Sequence, residues 1–203
     1  LNEDNAPQRI NFGSKLTGQA GAYDIGVIQV QTGEEGDAIG EDFAVMRLKR
    51  RMLRESYVGA LYTRRDARGG DVETRQTVGA DFRLATSTFL GSENLSTSGY
   101  VLHTTNPLDL GEQSAFGGEV TYPNDPLNAE LEYAEIQENY DAAVGFTRRT
   151  GVRNINPQVT FAPRPSRHPW IRRFNFGGNL DWFLDARDNR LLTRELDVTA
   201  FQV

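Results

Sequence analysis

The stretch Phe174-Asn175-Phe176-Gly177-Gly178-Asn179-Leu180-Asp181-Trp182-Phe183-Leu184-Asp185 alternates between two classes of residue. In an extended chain, one face carries Phe174, Phe176, Gly178, Leu180, Trp182 and Leu184, and the other carries Asn175, Gly177, Asn179, Asp181, Phe183 and Asp185. Because side chains of a strand point to alternate faces, this pattern predicts a β-strand with one apolar and one polar side. A strand of about a dozen residues is long for a soluble sheet, whereas transmembrane β-strands need about 9–11 residues and show this alternation.

Comparable segments recur along the whole chain and predict an all-β fold. About twelve strands are expected, joined by short connections, which is the spacing of a sandwich, barrel or meander. The predicted strands are residues 9–19, 22–31, 43–49, 56–65, 74–85, 94–104, 114–122, 127–136, 142–149, 154–162, 172–185 and 191–202. A turn of helix is an option only at residues 47–55, because an apolar period of 3.6 is missing elsewhere.

The alternating faces fit two architectures. In a soluble sandwich the apolar face is the core and the charged face meets water. In a membrane barrel the apolar face meets lipid and the charged face lines the lumen, and periodicity alone does not separate the two. Strand length favours the barrel, as do aromatic residues near strand ends, which are typical of interfacial girdles. Those aromatic residues are Tyr57, Tyr62, Tyr100, Tyr122, Tyr133 and Trp170.

Composition limits the classes of function. The 203 residues suffice for one large all-β domain. The sequence contains no run of 18 apolar residues, so no transmembrane helix is predicted. A net charge of -6 argues against a general nucleic-acid binder, which needs a basic surface. The absence of cysteine excludes disulfides and thiolate metal sites. The chain begins at Leu1 without an initiator methionine and ends within a predicted strand. We therefore expect residues 1–203 to be a single barrel region and a fragment of a longer barrel.

Charged and amide side chains on the predicted polar faces are the candidate functional residues. If the fold is a barrel, they line the lumen and set its selectivity. The lumen candidates are Asp81, Arg83, Glu119, Glu130, Glu132, Asn179 and Asp181. A second, basic group is expected at the barrel rim, where it pairs with carboxylates or attracts anionic substrates or lipopolysaccharide phosphates. Its members are Arg47, Lys49, Arg50, Arg51 and Arg54.

No catalytic or metal-binding motif is present in the sequence. The two histidines, His103 and His168, lie far apart in the chain and are not expected to form a metal site. Glu130 and Glu132 share one face of a predicted strand. A glycosidase needs two carboxylates in one site, but the polar face of a strand explains this pair as well. The acidic loop around Glu34 and Asp42 lacks EF-hand spacing. We therefore expect no cofactor, no metal and no enzymatic activity.

The order of several local patterns resembles the DUF5916 family of bacterial outer-membrane-like barrels. These patterns are Ile10-Asn11-Phe12-Gly13, Tyr23-Asp24-Ile25-Gly26, Phe43-Ala44-Val45-Met46, Tyr57-Val58-Gly59-Ala60, Val144-Gly145-Phe146-Thr147 and Ala162-Pro163-Arg164-Pro165. The resemblance implies a β-barrel in the outer membrane of a Gram-negative bacterium. In that family the barrel commonly follows a domain similar to family 9 carbohydrate-binding modules, and we do not expect residues 1–203 to include this domain. It implies no reaction and no catalytic residues.

The sequence thus predicts part of an antiparallel, transmembrane outer-membrane-type β-barrel. Its expected partners are outer-membrane lipid and a small solute, such as a saccharide, which passes or docks in a porin-like polar lumen without bond chemistry. Two alternatives remain open at this point. One is a soluble β-sandwich that binds carbohydrate, and the other is a glycoside hydrolase that uses paired carboxylates.

Overall fold

We describe the fold from a computed structural model, in which residues 8–34, 36, 39–69, 74–105, 110–165 and 172–202 are described. They form one antiparallel sheet of eleven strands, in which each strand pairs with the next in chain order. The all-β antiparallel meander expected from the sequence is therefore confirmed. The strands are β1 Ile10–Ala20, β2 Tyr23–Thr32, β3 Glu41–Met52, β4 Ser56–Ala67, β5 Arg75–Phe89, β6 Glu93–Thr105, β7 Ser114–Pro123, β8 Leu127–Ile136, β9 Val152–Phe161, β10 Asn175–Asp185 and β11 Leu191–Gln202.

The sheet is open in the part of the chain that the structure describes, because β1 and β11 do not pair with each other. It is a single layer, so it is not the pair of packed sheets that a sandwich requires. Among the described residues, no helix is long and apolar enough to cross a membrane.

The strand register sorts the side chains into two faces. Residues opposite each other in an antiparallel pair lie on the same face of the sheet. Asp81 lies opposite Gly59 and Tyr100, and Glu119 lies opposite Ser98 and Glu132. Followed from strand to strand, this register places all seven lumen candidates on one face, which we call the polar face: Asp81, Arg83, Glu119, Glu130, Glu132, Asn179 and Asp181.

The opposite face, which we call the apolar face, is exposed. On β5 it carries Val78, Ala80, Phe82 and Leu84, and neighbouring strands continue the pattern. Val78 and Leu131 are each 49% exposed. The chain as a whole exposes 13651 Å², against about 9,500 Å² expected for a compact soluble protein of this mass. The excess indicates an open sheet, and the exposed side chains named above show that its apolar face is part of the uncovered surface.

Burial concentrates at one end of the polar face. The buried side chains there include Thr63, Thr77, Thr104, Ala115 and Val152, which lie on consecutive parts of β4 to β9. The connection between β8 and β9, residues 137–151, which we call the strap, reaches this region, where the Ala143 amide bonds to Thr77 Oγ1. Tyr140 and Ala143 of the strap are themselves buried. The small core of the molecule therefore lies between the strap and the sheet.

The two ends of the sheet differ in the length of their connections. At one end, residues 21–22, 53–55, 90–92 and 124–126 form tight turns, and residues 162–174 form the one longer connection. At the other end, the connections span residues 33–40, 68–74, 106–113, 137–151 and 186–190. We call these the short-turn end and the long-loop end.

Three of the predicted local structures are wrong. Residues 142–149 are not a strand but belong to the strap, although Val144 and Phe146 alternate as strand residues do. Residues 47–55 hold no helical turn, because β3 runs through Arg47 to Met52 before a tight turn. The strand predicted at residues 172–185 begins at Asn175 rather than at residue 172. In each case, pairing with neighbouring strands, or its absence, overrides the local pattern.

Two of the predicted girdle residues also lie on the wrong face. Tyr57 is opposite Arg83, and Tyr100 is opposite Asp81, so both belong to the polar face. Tyr62, Tyr122 and Tyr133 lie on the apolar face, as a girdle requires. Trp170 lies outside the described residues.

Candidate functional site

An ion pair crosses one strand in the middle of the polar face. Arg47 Nη1 lies 2.5 Å from Asp81 Oδ1, and Arg47 Nη2 lies 2.6 Å from Asp81 Oδ2. Arg47 is on β3 and Asp81 is on β5, so the two side chains meet above Gly59 of the intervening β4. A Cβ atom at Gly59 would lie 2.7 Å from Asp81 Oδ1 and 2.8 Å from Arg47 Nη2. The glycine therefore provides the space in which this bidentate pair forms.

The predicted basic rim group is divided by the structure. Arg47, Lys49 and Arg51 alternate on β3 and lie on the polar face. Arg50 is opposite Val58, so it lies on the apolar face, and Arg54 lies in the turn at residues 53–55. The five residues therefore do not share one surface, because consecutive strand residues point to opposite sides.

The members of the group on the polar face have their own partners. The Lys49 ammonium lies 4.4 Å above the centre of the Tyr57 ring. Arg51 Nε lies 3.6 Å from Asp24 Oδ1, and its Nη2 donates a hydrogen bond of 2.8 Å to the carbonyl oxygen of Gly21. These contacts attach the basic side chains to the sheet in fixed positions.

Carboxylates dominate the other half of the polar face. Glu119 on β7 lies directly opposite Glu132 on β8, and Glu130 lies two residues away on the same side. Like charges directly opposite each other destabilise a sheet, so this arrangement is not explained by strand stability. Asp181 accepts a hydrogen bond of 2.6 Å from Asn154 Nδ2. Asn179 Oδ1 is buried and makes no hydrogen bond to the described residues.

Charge on the polar face is consequently segregated. The described carboxylates of this face on β2 to β5 are Asp24, Glu41 and Asp81, and each is paired with an arginine. On β7 to β11 the described part of this face carries no basic residue to pair with its carboxylates. Those carboxylates are Glu119, Glu130, Glu132, Asp181, Asp185, Glu195 and Asp197. One half of the face is therefore basic or neutralised, and the other half is acidic.

The strap folds over the polar face at the long-loop end. The Ala143 amide donates a hydrogen bond of 3.0 Å to Thr77 Oγ1, and Arg75 Nη1 lies 2.5 Å from Asp141 Oδ2. Thr77 and Arg75 both belong to the polar face of β5. At the base of the strap, the backbone amides of Gln137 and Asn139 donate to the carbonyl oxygens of Ser114 and Glu112.

Packing also orders the middle of the strap. Ala143 is only 2% exposed, and burial raises the pKa of the Tyr140 phenol, with further contributions from the nearby Tyr100 and Asp141. By contrast, Phe146 is 86% exposed. Sequence reasoning missed the strap because it assigned residues 142–149 to a strand. The signal in the sequence was the presence of Gly145 and Gly151 in and just after this segment. In the structure both have positive φ values, 141° and 68°, which are unfavourable for other residues.

Polar side chains mark where the apolar face ends toward the long-loop end. Arg153 Nη2 lies 2.8 Å from Glu135 Oε2, and the Tyr133 hydroxyl donates to the same oxygen at 2.7 Å. On β4 of the same face, Arg64 Nε lies 2.6 Å from Asp66 Oδ2. The apolar positions therefore form a band, and the strands continue beyond it.

No cluster of three or more histidine, cysteine, aspartate or glutamate residues that could hold a metal ion occurs in the described part of the chain. His103 Nδ1 lies 3.0 Å from Ser114 Oγ, and His168 lies outside the described residues.

Comparison with known proteins identifies no relative: no family model matches the chain, and no curated protein or solved structure is significantly similar to it. The resemblance to the DUF5916 family therefore stays a prediction.

Proposed function

We propose that this sheet is part of an outer-membrane β-barrel that lets a small polar solute pass or dock in its lumen, without bond chemistry. The exposed apolar face carries this proposal. In water, leaving that face uncovered costs about 25 cal/mol for each Å² of apolar surface, whereas lipid covers it without a second protein layer.

The dimensions of the apolar band support the proposal. On β8 the band runs from Leu127 to Tyr133, about 20 Å along the strand, and on β10 it runs from Phe176 to Leu184, about 26 Å. Aromatic residues occur near both limits, with Tyr62 and Tyr133 toward the long-loop end and Tyr122 toward the short-turn end. Outer-membrane barrels have an apolar band of about 25 Å between aromatic girdles.

The difference between the two ends supports an orientation. Outer-membrane barrels have short periplasmic turns and longer extracellular loops. We therefore place the short-turn end in the periplasm and the long-loop end, including the strap, toward the cell exterior. The polar face then lines the lumen, and its segregated charges act on any solute that passes.

Charge reversal tests the role of the acidic half. Changing Glu130 and Glu132 to lysine replaces two lumen carboxylates with ammonium groups, so we expect ion selectivity in planar bilayers to shift from cations toward anions. Glu55→Lys in the turn at residues 53–55 is the control, because it changes charge outside the strands. Unchanged selectivity in a conducting double variant would contradict the proposed role of this face.

A further inference from the structure

A cavity of about 450 Å³ lies between the strap and the polar face of the first strands. Its walls include Ala143 and Val144 from the strap, and Val30, Glu41, Phe43 and Arg65 from β2 to β4. This volume lies within the range of about 300–1,000 Å³ that is usual for small-molecule sites. Without the strap, the same region of the sheet would be an open surface.

The cavity wall is electrically balanced. Arg65 Nε and Nη2 both lie 2.7 Å from Glu41 Oε1, so the two charged side chains neutralise each other. The Arg65 guanidinium also lies 5.7 Å from the centre of the Phe43 ring. The other residues that line the cavity are uncharged. A charged solute in the cavity would find no unpaired charge of opposite sign on the wall. The free energy that it loses on leaving water would therefore not be compensated.

The wall nevertheless offers polar groups beside apolar ones. Glu41 Oε2 makes no hydrogen bond to the other described residues and is free to accept one, while Val30, Phe43 and Val144 provide apolar contact. Gln8 and Thr32 add further uncharged polar side chains to the wall. Such a mixture suits a molecule with hydroxyl or amide groups and no net charge.

We infer that this cavity is a binding site for small uncharged polar solutes. We also infer that passage through the lumen selects for such solutes at this cavity, because the strap closes it on one side. The inference rests on the proposed function and adds the chemical class of the solute. It differs from the acidic half of the face, which acts on ions.

Swelling of liposomes that contain the full-length protein tests the inference. The probes are sorbitol and gluconate, which are six-carbon polyhydroxy compounds that differ chiefly in charge, and choline, which is a small cation. Glu41→Gln leaves Arg65 unpaired and makes the wall cationic, so we expect the ratio of sorbitol entry to gluconate entry to fall by about 3–10-fold. The matched control is Asp66→Asn, which breaks the neighbouring Arg64–Asp66 pair on the apolar face and should leave this ratio unchanged.

A second variant keeps the test informative if Glu41→Gln does not fold. Val144→Trp fills the cavity from the strap without changing charge, so we expect sorbitol entry to fall more than choline entry. If the native protein admits all three probes and neither folded variant changes their ratios, the inference is overturned while the proposed passage stands. If the native protein admits no probe at all, the proposed function itself fails.

Discussion

At the scale of single residues, Gly59 decides whether the central ion pair can form. Gly59→Ala places a Cβ atom where Arg47 and Asp81 meet, so one of the two side chains must shift and the bidentate contact is weakened. We expect the free energy of unfolding to fall by up to about 1.5–3 kcal/mol, the range for hydrogen bonds to charged groups. Urea unfolding from lipid vesicles measures this change.

Gly13→Ala is the matched control for that prediction. Gly13 also lies on the polar face of a strand, but nothing lies within 4 Å of a Cβ built there. A stability loss of equal size in both variants would show that strand glycines, rather than the ion pair, determine the effect.

At the scale of one strand, adjacent residues on β8 test the proposed assignment of the apolar face to lipid and of the polar face to a lumen. Leu131→Arg puts a charge in the middle of the apolar band, where arginine costs about 2–4 kcal/mol in membrane barrels. Glu132→Arg puts the same side chain on the polar face and should cost little. Assembly into vesicles, followed by protease protection, measures both. Equal assembly of the two variants would contradict the assignment of the faces.

Strand positions were predictable because each segment carries its own alternation of apolar and polar residues. The pattern in Leu127 to Tyr133 is enough to assign both faces of β8, and the register confirms that the predicted polar residues share one side. The strap was not predictable in this way. Val144 and Phe146 alternate with small or polar residues as strand residues do, but the contacts that hold this segment come from Arg75 and Thr77, more than 60 positions earlier in the chain.

The basic group shows the same limit at closer range. Arg50 and Arg51 are neighbours in sequence, yet one points to each side of β3. Residues that are consecutive in a strand do not form one surface, whereas every second residue of a strand lies on the same face. The Arg47–Asp81 pair was missed for a related reason, since its members are on strands that are not adjacent.

At the scale of the whole molecule, one sheet carries an apolar face and a polar face that require different surroundings. Its apolar face lacks a protein partner among the described residues, and its polar face holds segregated charges beneath a packed strap. In the proposed barrel, the sheet edges at β1 and β11 would also need partner strands, because lipid does not tolerate unpaired backbone groups. These features together support a barrel wall rather than a soluble domain.

The most direct test of the barrel is fractionation of the full-length, tagged protein, followed by gel migration in detergent with and without heating. We expect recovery in the outer-membrane fraction and a heat-dependent shift in migration, since a closed barrel stays folded until it is heated. A soluble protein without a heat-dependent shift would contradict the barrel, because the apolar face would then require a protein partner instead of lipid.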